Sequence, residues 1–138
     1  MSAPAKPVPQ ATAETEAYWE GCRGGELRLQ CCSDCGHVQF PPRRFCSRCL
    51  AALPPFERAS GRGRVRSFSV VRHPISSAFA DEVPFVVALI ELAEGPTMMA
   101  GIRGCAIEEV AIGMPVEVEF EERSEAIHLP YFHPIRES

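Results

Sequence analysis

The sequence predicts a mainly β protein built as an N-terminal helix, a zinc ribbon and a five-stranded OB-fold barrel. Three observations lead there. Two C-x2-C pairs, Cys32/Cys35 and Cys46/Cys49, lie ten residues apart. Beyond Pro55 come three runs of β-forming residues, a break, and two more runs. A length of 138 residues with 46% hydrophobic side chains supports one core, with any appendage held by something other than apolar burial.

Residues 1–12, opening "MSAPAKPVPQ", are rich in Pro and Ala and read as a disordered, solvated tail. They lack the apolar stretch of a secretory signal, and no run in the chain approaches membrane-spanning length, so a cytoplasmic setting with reduced thiols is the expectation. Residues 13–25 read as a helix with Thr12 as N-cap, Glu14 and Glu16 in its first turns and a stop at Gly24-Gly25. Tyr18 and Trp19 near its end have two roles open to them: packing onto the segment that follows, or docking on a partner.

Residues 26–56 form the expected ribbon. A C-x2-C turn brings both sulfurs within reach of one ion at about 2.3 Å, and two such turns complete a tetrahedron. Gly36, after the first pair, is free to take positive φ. The neighbours Ser33, Asp34, Arg43, Arg44, Ser47 and Arg48 are polar, unlike the setting of buried unligated thiols. Spacing alone leaves Cys31 open as a replacement for Cys32, and His37 as a substitute ligand. Iron is the rival ion. Iron knuckles of the rubredoxin type place Gly after both pairs and Pro inside the second, where this chain has Leu50 and Ser47, so zinc is favoured. Four thiolates leave no open position for a reacting water, so the ion is expected to be structural.

"ALPPFERASGRG" carries the punctuation of a linker, with a boundary near Pro55. The barrel is expected over 57–128, with strands in "GRVRSFSVVRH", in "PFVVALIELAEGPTMMAGIRG" on either side of a turn at Glu94-Gly95-Pro96, in "PVEVEFEER" and in "EAIHLPYF". "CAIEEVAIG" supplies a short helical connection between the third and fourth. The apolar run Val86 to Ile90 reads as a central strand buried on both sides, and Val116, Val118 and Phe120 point inward between outward glutamates. Three strands, a helical connection and two strands is the order of an OB barrel. Residues 129–138 read as an extended tail along a surface.

Charge is unevenly spread. Residues 1–80 hold eleven Lys/Arg against six Asp/Glu, and residues 81–138 three against twelve, giving +5 and −9 and a net −4. One divalent ion held by four thiolates lowers the total to about −6. That balance opposes general affinity for nucleic acid.

Taken together, Tyr18-Trp19, the four cysteines, Pro41-Pro42-Arg43, Gly61-x-Gly63 and Gly113-x-x-Val116 resemble an acyl-CoA-associated family, the domain-of-unknown-function-thirty-five proteins. The resemblance spans about Tyr18 to Pro134. It implies an N-terminal helix, a rubredoxin-like zinc ribbon and an OB fold. It also implies a small non-catalytic subunit that pairs with thiolase-fold enzymes, and in some cases hot-dog-fold hydratases, in acyl-CoA condensation, retro-aldol cleavage or acyl transfer, the chemistry being done by the partner's own residues. The adjacent Cys31-Cys32 and the long Pro/Ala head depart from the family pattern.

On this reading Tyr18, Trp19, Arg43, Arg44, Arg62 and Arg64 are candidates for contact with the partner or with the phosphates of CoA at a shared interface, because guanidinium pairs well with phosphate. The alternative is a single-stranded nucleic-acid binder using Arg58, Arg62, Arg64, Arg66 and Arg72 with Phe68, against which stand the overall acidity and the scarcity of aromatics beside these arginines. An independent enzyme is disfavoured. No motif joins His73, His128 or His133 to Cys22 or Cys105, which read as packing residues, and Glu108-Glu109 and Glu121-Glu122 read as solvated faces.

Overall fold

The apolar side chains of all three predicted modules meet in one continuous cluster, running from Tyr18, Cys22, Leu27 and Leu29 to Ile90, Val116 and Phe132. The computed structural model describes residues 9–74 and 77–135. Its elements are α1 (Glu16–Arg23), β1 (Arg28–Cys31), β2 (Val38–Gln39), β3 (Phe56–Arg58), β4 (Arg62–Val71), β5 (Phe85–Leu92), β6 (Thr97–Ile102), β7 (Pro115–Glu122) and β8 (His128–Pro134). Strands β2-β1-β3 form an antiparallel ribbon sheet, and β4-β5-β6-β8-β7 close into a barrel. This is the strand order of an OB fold, with a 3-10 turn at Ile107–Glu109 in the connection between β6 and β7.

The helix is shorter than its sequence signals. Thr12 starts a turn, its carbonyl accepting the N–H groups of Thr15 and Glu16, and Thr15 takes the N-cap position. Arg28 then ties α1 to β1, donating to the Ala17 carbonyl at 3.1 Å and to Glu26 at 2.6 Å. The tail expected over 1–12 lies outside the described residues as far as residue 8.

Two boundaries move. Phe56–Arg58, placed by the sequence in a linker, pairs with Arg28–Gln30 of β1 as the third ribbon strand. The last strand, expected in "EAIHLPYF", is β8, which starts at His128 and runs to Pro134 through most of the segment expected as a tail, antiparallel to β7 from Val116↔Pro134 to Glu122↔His128 and parallel to β6 at Gly101↔Tyr131 and Ile102↔Phe132. The barrel closes only through this strand, and Phe132 at its centre is fully buried.

Strand β5 also differs from its reading as doubly buried. Val86, Ala88, Ile90 and Leu92 face the barrel interior, while Leu89 and Glu91 face out. A closed barrel has one interior, so a period of two persists even where the outer residues are apolar. Gly63 of β4 shows why the barrel opens on glycine: a Cβ there would stand 2.5 Å from the Glu91 carbonyl oxygen and 2.8 Å from Ile90 Cγ2.

Glu121 is not the solvated carboxylate the sequence suggests. Arg103 donates to it at 2.9 Å and Arg123 at 2.7 Å; Arg123 also reaches the Tyr131 hydroxyl at 3.0 Å, and Arg103 stacks 3.5 Å from the Tyr131 ring centre. The guanidinium of Arg103, with that of Arg123, holds the Glu121 carboxyl down to about 2. This belt crosses the β6-β8-β7 seam. Among the described residues no helix is long and apolar enough to cross a membrane.

Phe132→Ala is expected to lower stability by about 3–5 kcal/mol in urea or thermal unfolding, whereas Met99→Ala, at a site 67% exposed, should change it by less than about 0.5 kcal/mol. Equal, small effects would mean that β8 is not a barrel strand.

Candidate metal centre

Cys32 and Cys46 each begin a tight turn with the same backbone plan. The Cys32 N–H donates to the His37 carbonyl and the Gly36 N–H to the Cys32 carbonyl; the Cys46 N–H donates to the Ala51 carbonyl and the Leu50 N–H to the Cys46 carbonyl. Both turns end in a left-handed residue, Gly36 at φ 77° and Leu50 at φ 66°. The two knuckles are therefore structural repeats, although one uses glycine and the other leucine at that position.

The knuckles bring Cys32, Cys35, Cys46 and Cys49 together, all four sulfurs within 4.8 Å of one another. Cys32 Sγ stands 3.6 Å from Cys49 Sγ, and Cys35 Sγ stands 3.6 Å from Cys46 Sγ. Sulfurs at about 2.3 Å from one tetrahedral ion are separated by about 3.8 Å, so the donor set fits a metal ion. Proton chemistry agrees. The Cys46 thiol is held down to about 6, chiefly by the Cys49 backbone N–H and also by that of Arg48, which lies 3.4 Å from its sulfur. The N–H of Ala51 favours the Cys49 thiolate, but hydrogen bonding with Cys32 and the crowding of the other sulfurs outweigh it and push Cys49 up to about 12. Four sulfurs this close do not all ionise unless a cation sits among them.

The alternatives left open by spacing are separated here. Cys31 lies on β1, outside the four-sulfur group, and its N–H donates to the Pro55 carbonyl. His37 is likewise not a member; its Nε2 lies 3.1 Å from Ser47 Oγ, bridging the two knuckles.

Two buried amides that the sequence reading passed over hold the second knuckle on the ribbon sheet. Gln30 Oε1 accepts the Arg43 N–H at 2.8 Å and Gln39 Nε2 at 2.7 Å, while Gln30 Nε2 donates to the Arg43 carbonyl at 2.7 Å. Gln39 Oε1 accepts the Ser47 N–H, and its Nε2 donates to the Phe45 carbonyl. Each amide replaces ladder hydrogen bonds that the irregular 40–47 segment lacks. The available signal was a neutral amide following Leu27 and Leu29 in the "LRLQC" strand.

The six candidates for partner or CoA contact do not converge on one place. Tyr18 is 4% exposed and packs on Trp19 and Phe40 with ring centres 5.0 and 5.6 Å apart. Its role is packing, because the ribbon and barrel close over it. Trp19 is partly buried and lines an apolar groove with Phe40, Pro41, Met99 and Leu129. Arg43 and Arg44 lie on the second knuckle beside Phe45 and Leu50. Arg62 and Arg64 lie with Arg66 on β4, along a cleft of about 610 Å³ that also includes Ile112 and Pro115; Arg64 there donates to the Gly113 carbonyl at 3.1 Å. Cys22 is fully buried, its thiol pushed up to about 11 by that burial, and Cys105 is half-buried against the core; both are packing residues, as expected.

Comparison with known proteins matches the same two modules. Residues 19–53 match the ChsH2 rubredoxin-like zinc ribbon domain and residues 56–121 the ChsH2 C-terminal OB-fold domain. A probable enoyl-CoA hydratase alpha subunit of Thermomonospora curvata is 33% identical over 94% of this chain, which spans only 40% of that protein's length. A DUF35 domain-containing scaffold protein of Methanocaldococcus jannaschii is 40% identical over 68% of this chain and 67% of its own. A chain of the solved Ltp2-ChsH2(DUF35) aldolase superposes with a TM-score of 0.82 at 33% identity, covering 92% of this chain and 98% of that one.

Cys32→Ser and Cys49→Ser are each expected to lose the bound metal, whereas Cys31→Ser keeps a full equivalent, as read by elemental analysis of the purified proteins. Full metal in both of the first two variants would remove the assignment. Gln30→Leu strands the N–H and carbonyl of Arg43. It should lower stability by about 1–3 kcal/mol and speed the release of metal to a chelator.

Proposed function

The chain belongs to the DUF35 family, and from that membership we propose that it is a non-catalytic accessory subunit that docks on a thiolase-fold enzyme acting on acyl-CoA. The observation that carries this reading is the likeness, over nearly the whole chain, to a chain of the Ltp2-ChsH2(DUF35) aldolase. The names of the relatives support it in two ways: one is a scaffold protein, and the other is a subunit of a probable enoyl-CoA hydratase. On this reading the companion is an aldolase or acyltransferase, of the thiolase type as the family resemblance implies, with a hot-dog-fold hydratase as a second kind of partner.

The metal in this reading is zinc and its work is structural. Zinc on four thiolates presents no open position to a substrate, so it polarises nothing and activates no water. What it supplies is order: a site of this kind contributes on the order of 10 kcal/mol to the folding of its module. The ribbon then arrives at the partner already shaped, and association costs less conformational entropy.

Acyl-CoA reaches the shared interface through its phosphates. Arg62 and Arg64 stand two residues apart along β4, so their side chains share one side of the strand, and Arg66, at the irregularity between Val65 and Ser67, lines the same cleft; all three are exposed. A row of guanidinium groups over a cleft suits a diphosphate. The reacting acyl group lies on the enzyme, whose residues do the chemistry.

The tagged chain, purified from its own cell after nuclease treatment, is expected to bring a stoichiometric thiolase-like or hydratase-like subunit identified by mass spectrometry. Purified alone, it should give no aldolase, hydratase or acyl-transfer turnover with acyl-CoA substrates. Turnover by the single chain would overturn the accessory role. Nuclease-sensitive companions with strong absorbance at 260 nm would instead make the β4 arginines a nucleic-acid face.

A further inference from the structure

The second knuckle carries more exposed apolar surface than a metal turn requires. Its hairpin runs from Arg44 to Leu53, with Phe45 bridged to Ala52 and the Leu53 N–H donating to the Arg44 carbonyl at 2.7 Å. Along it Phe45 is 50% exposed, Leu50 74% and Leu53 71%. Leu50 and Leu53 are also the only non-glycine residues with positive φ among the described residues, at 66° and 50°. A branched apolar residue is disfavoured in the left-handed region, where the first knuckle has Gly36. Neither leucine offsets that cost by burial within this chain.

The same hairpin is basic. Arg43, Arg44 and Arg48 are exposed, and none forms an ion pair among the described residues, where the paired guanidinium groups are those of Arg28, Arg58, Arg103 and Arg123. Glu14 is the one carboxylate lining the groove of about 400 Å³ between this hairpin and the turn before α1. Aliphatic anchors ringed by arginines are the composition of a protein interface: an apolar centre with Arg enriched around it.

We propose that this hairpin is the face by which the chain docks on its enzyme subunit, with Leu50, Leu53 and Phe45 entering an apolar pocket of the partner that is rimmed by carboxylates. The inference rests on the accessory-subunit reading and adds the surface and its complement. Charge complementarity selects that occupant, since three unpaired cations around an apolar centre need an acidic rim. A second copy of this chain fits less well. The hairpin would have to meet a different surface of its twin, a heterologous contact that builds rings or filaments and not a closed pair. Nucleic acid fits less well still, because Phe45 is the one stacking face among the hairpin's three exposed apolar residues and the chain carries a net charge of −4.

The test uses the full metal-loaded chain and the enzyme subunit that copurifies with it, each purified separately, with binding measured by calorimetry at low and high salt. Leu50→Gly/Leu53→Gly removes the anchors while keeping residues suited to the left-handed backbone. It is expected to retain its metal and its melting temperature, yet to bind roughly 30-fold or more weakly. Arg43→Glu/Arg44→Glu should bind more weakly and lose most of the salt dependence of the wild type. Leu89→Asp, on the outer face of β5 away from the hairpin and from the groove beside Trp19, should bind within about twofold of wild type, as expected of a site outside the hot spot.

If both hairpin variants bind like wild type, the docking face is elsewhere, while the accessory reading stands. If the wild-type chain binds no enzyme subunit, that reading and this inference fall together. Loss of self-association, or of bound nucleic acid, as the only effect of the hairpin changes would overturn the proposal in favour of those occupants.

Discussion

Four sulfurs 3.6–4.8 Å apart cannot all carry charge unless a cation lies between them, and much of the ribbon depends on that constraint. The ribbon sheet consists of strands of four, two and three residues. Its own buried aliphatic groups are chiefly Leu27 and Leu29, which is too little to order some thirty residues against chain entropy. The cation closes the first knuckle onto the second, the second is hung by Gln30 and Gln39 from the sheet, and the sheet seats α1 through Arg28. Removing the ion would therefore free the hairpin tip first and the helix contact last.

The barrel has a different logic, because it closes on itself. Its interior is filled by alternate residues of β4, β5, β6 and β7 with Phe132 of β8 across them. The Arg103–Glu121–Arg123–Tyr131 belt crosses the closing seam from outside. Ribbon and barrel are nonetheless one cooperative object, since Tyr18, Cys22, Leu27 and Leu29 belong to the same buried cluster as Ile90 and Val116. A change of order at the metal is thereby felt along β3 and into the start of β4, which follows it after only three residues.

What the sequence made legible were the features whose physics is local. Two C-x2-C turns encode a tetrahedron within four residues each, and alternating Val, Phe and Glu encode one face of a strand. Features decided by distant partners were opaque. Phe56–Arg58 looks like linker beside Pro54-Pro55, and becomes a strand only because β1 offers a free edge. Pro130 and Pro134 make the second half of β8 read as a tail, yet the strand runs on to Pro134 because it pairs with β7 along its whole length and with β6 at Tyr131 and Phe132. Tyr18 and Trp19 are adjacent and aromatic, and nothing local says that one is enclosed while the other lines a groove. Leu50 was legible as an oddity, a leucine where a knuckle prefers glycine, but its left-handed backbone and exposure emerge only when the turn is built.

That oddity bears on how a protein without an open metal position can matter to a reaction. A closed thiolate site supplies rigidity and nothing to a substrate, so the chain's influence has to pass through surfaces whose shape the rigidity guarantees. Three such surfaces are lined by different sets of residues: the β4 arginine row, the groove beside Trp19, and the second-knuckle hairpin. The hairpin is the one most directly fixed by the cation, because Cys46 and Cys49 lie within it and Leu50 follows Cys49 immediately. A side chain placed one residue beyond a metal ligand has little freedom left to lose on binding. Placing exposed leucines at that point trades local backbone strain for apolar groups held in position before a partner arrives, which is the economical arrangement for a subunit whose contribution is assembly.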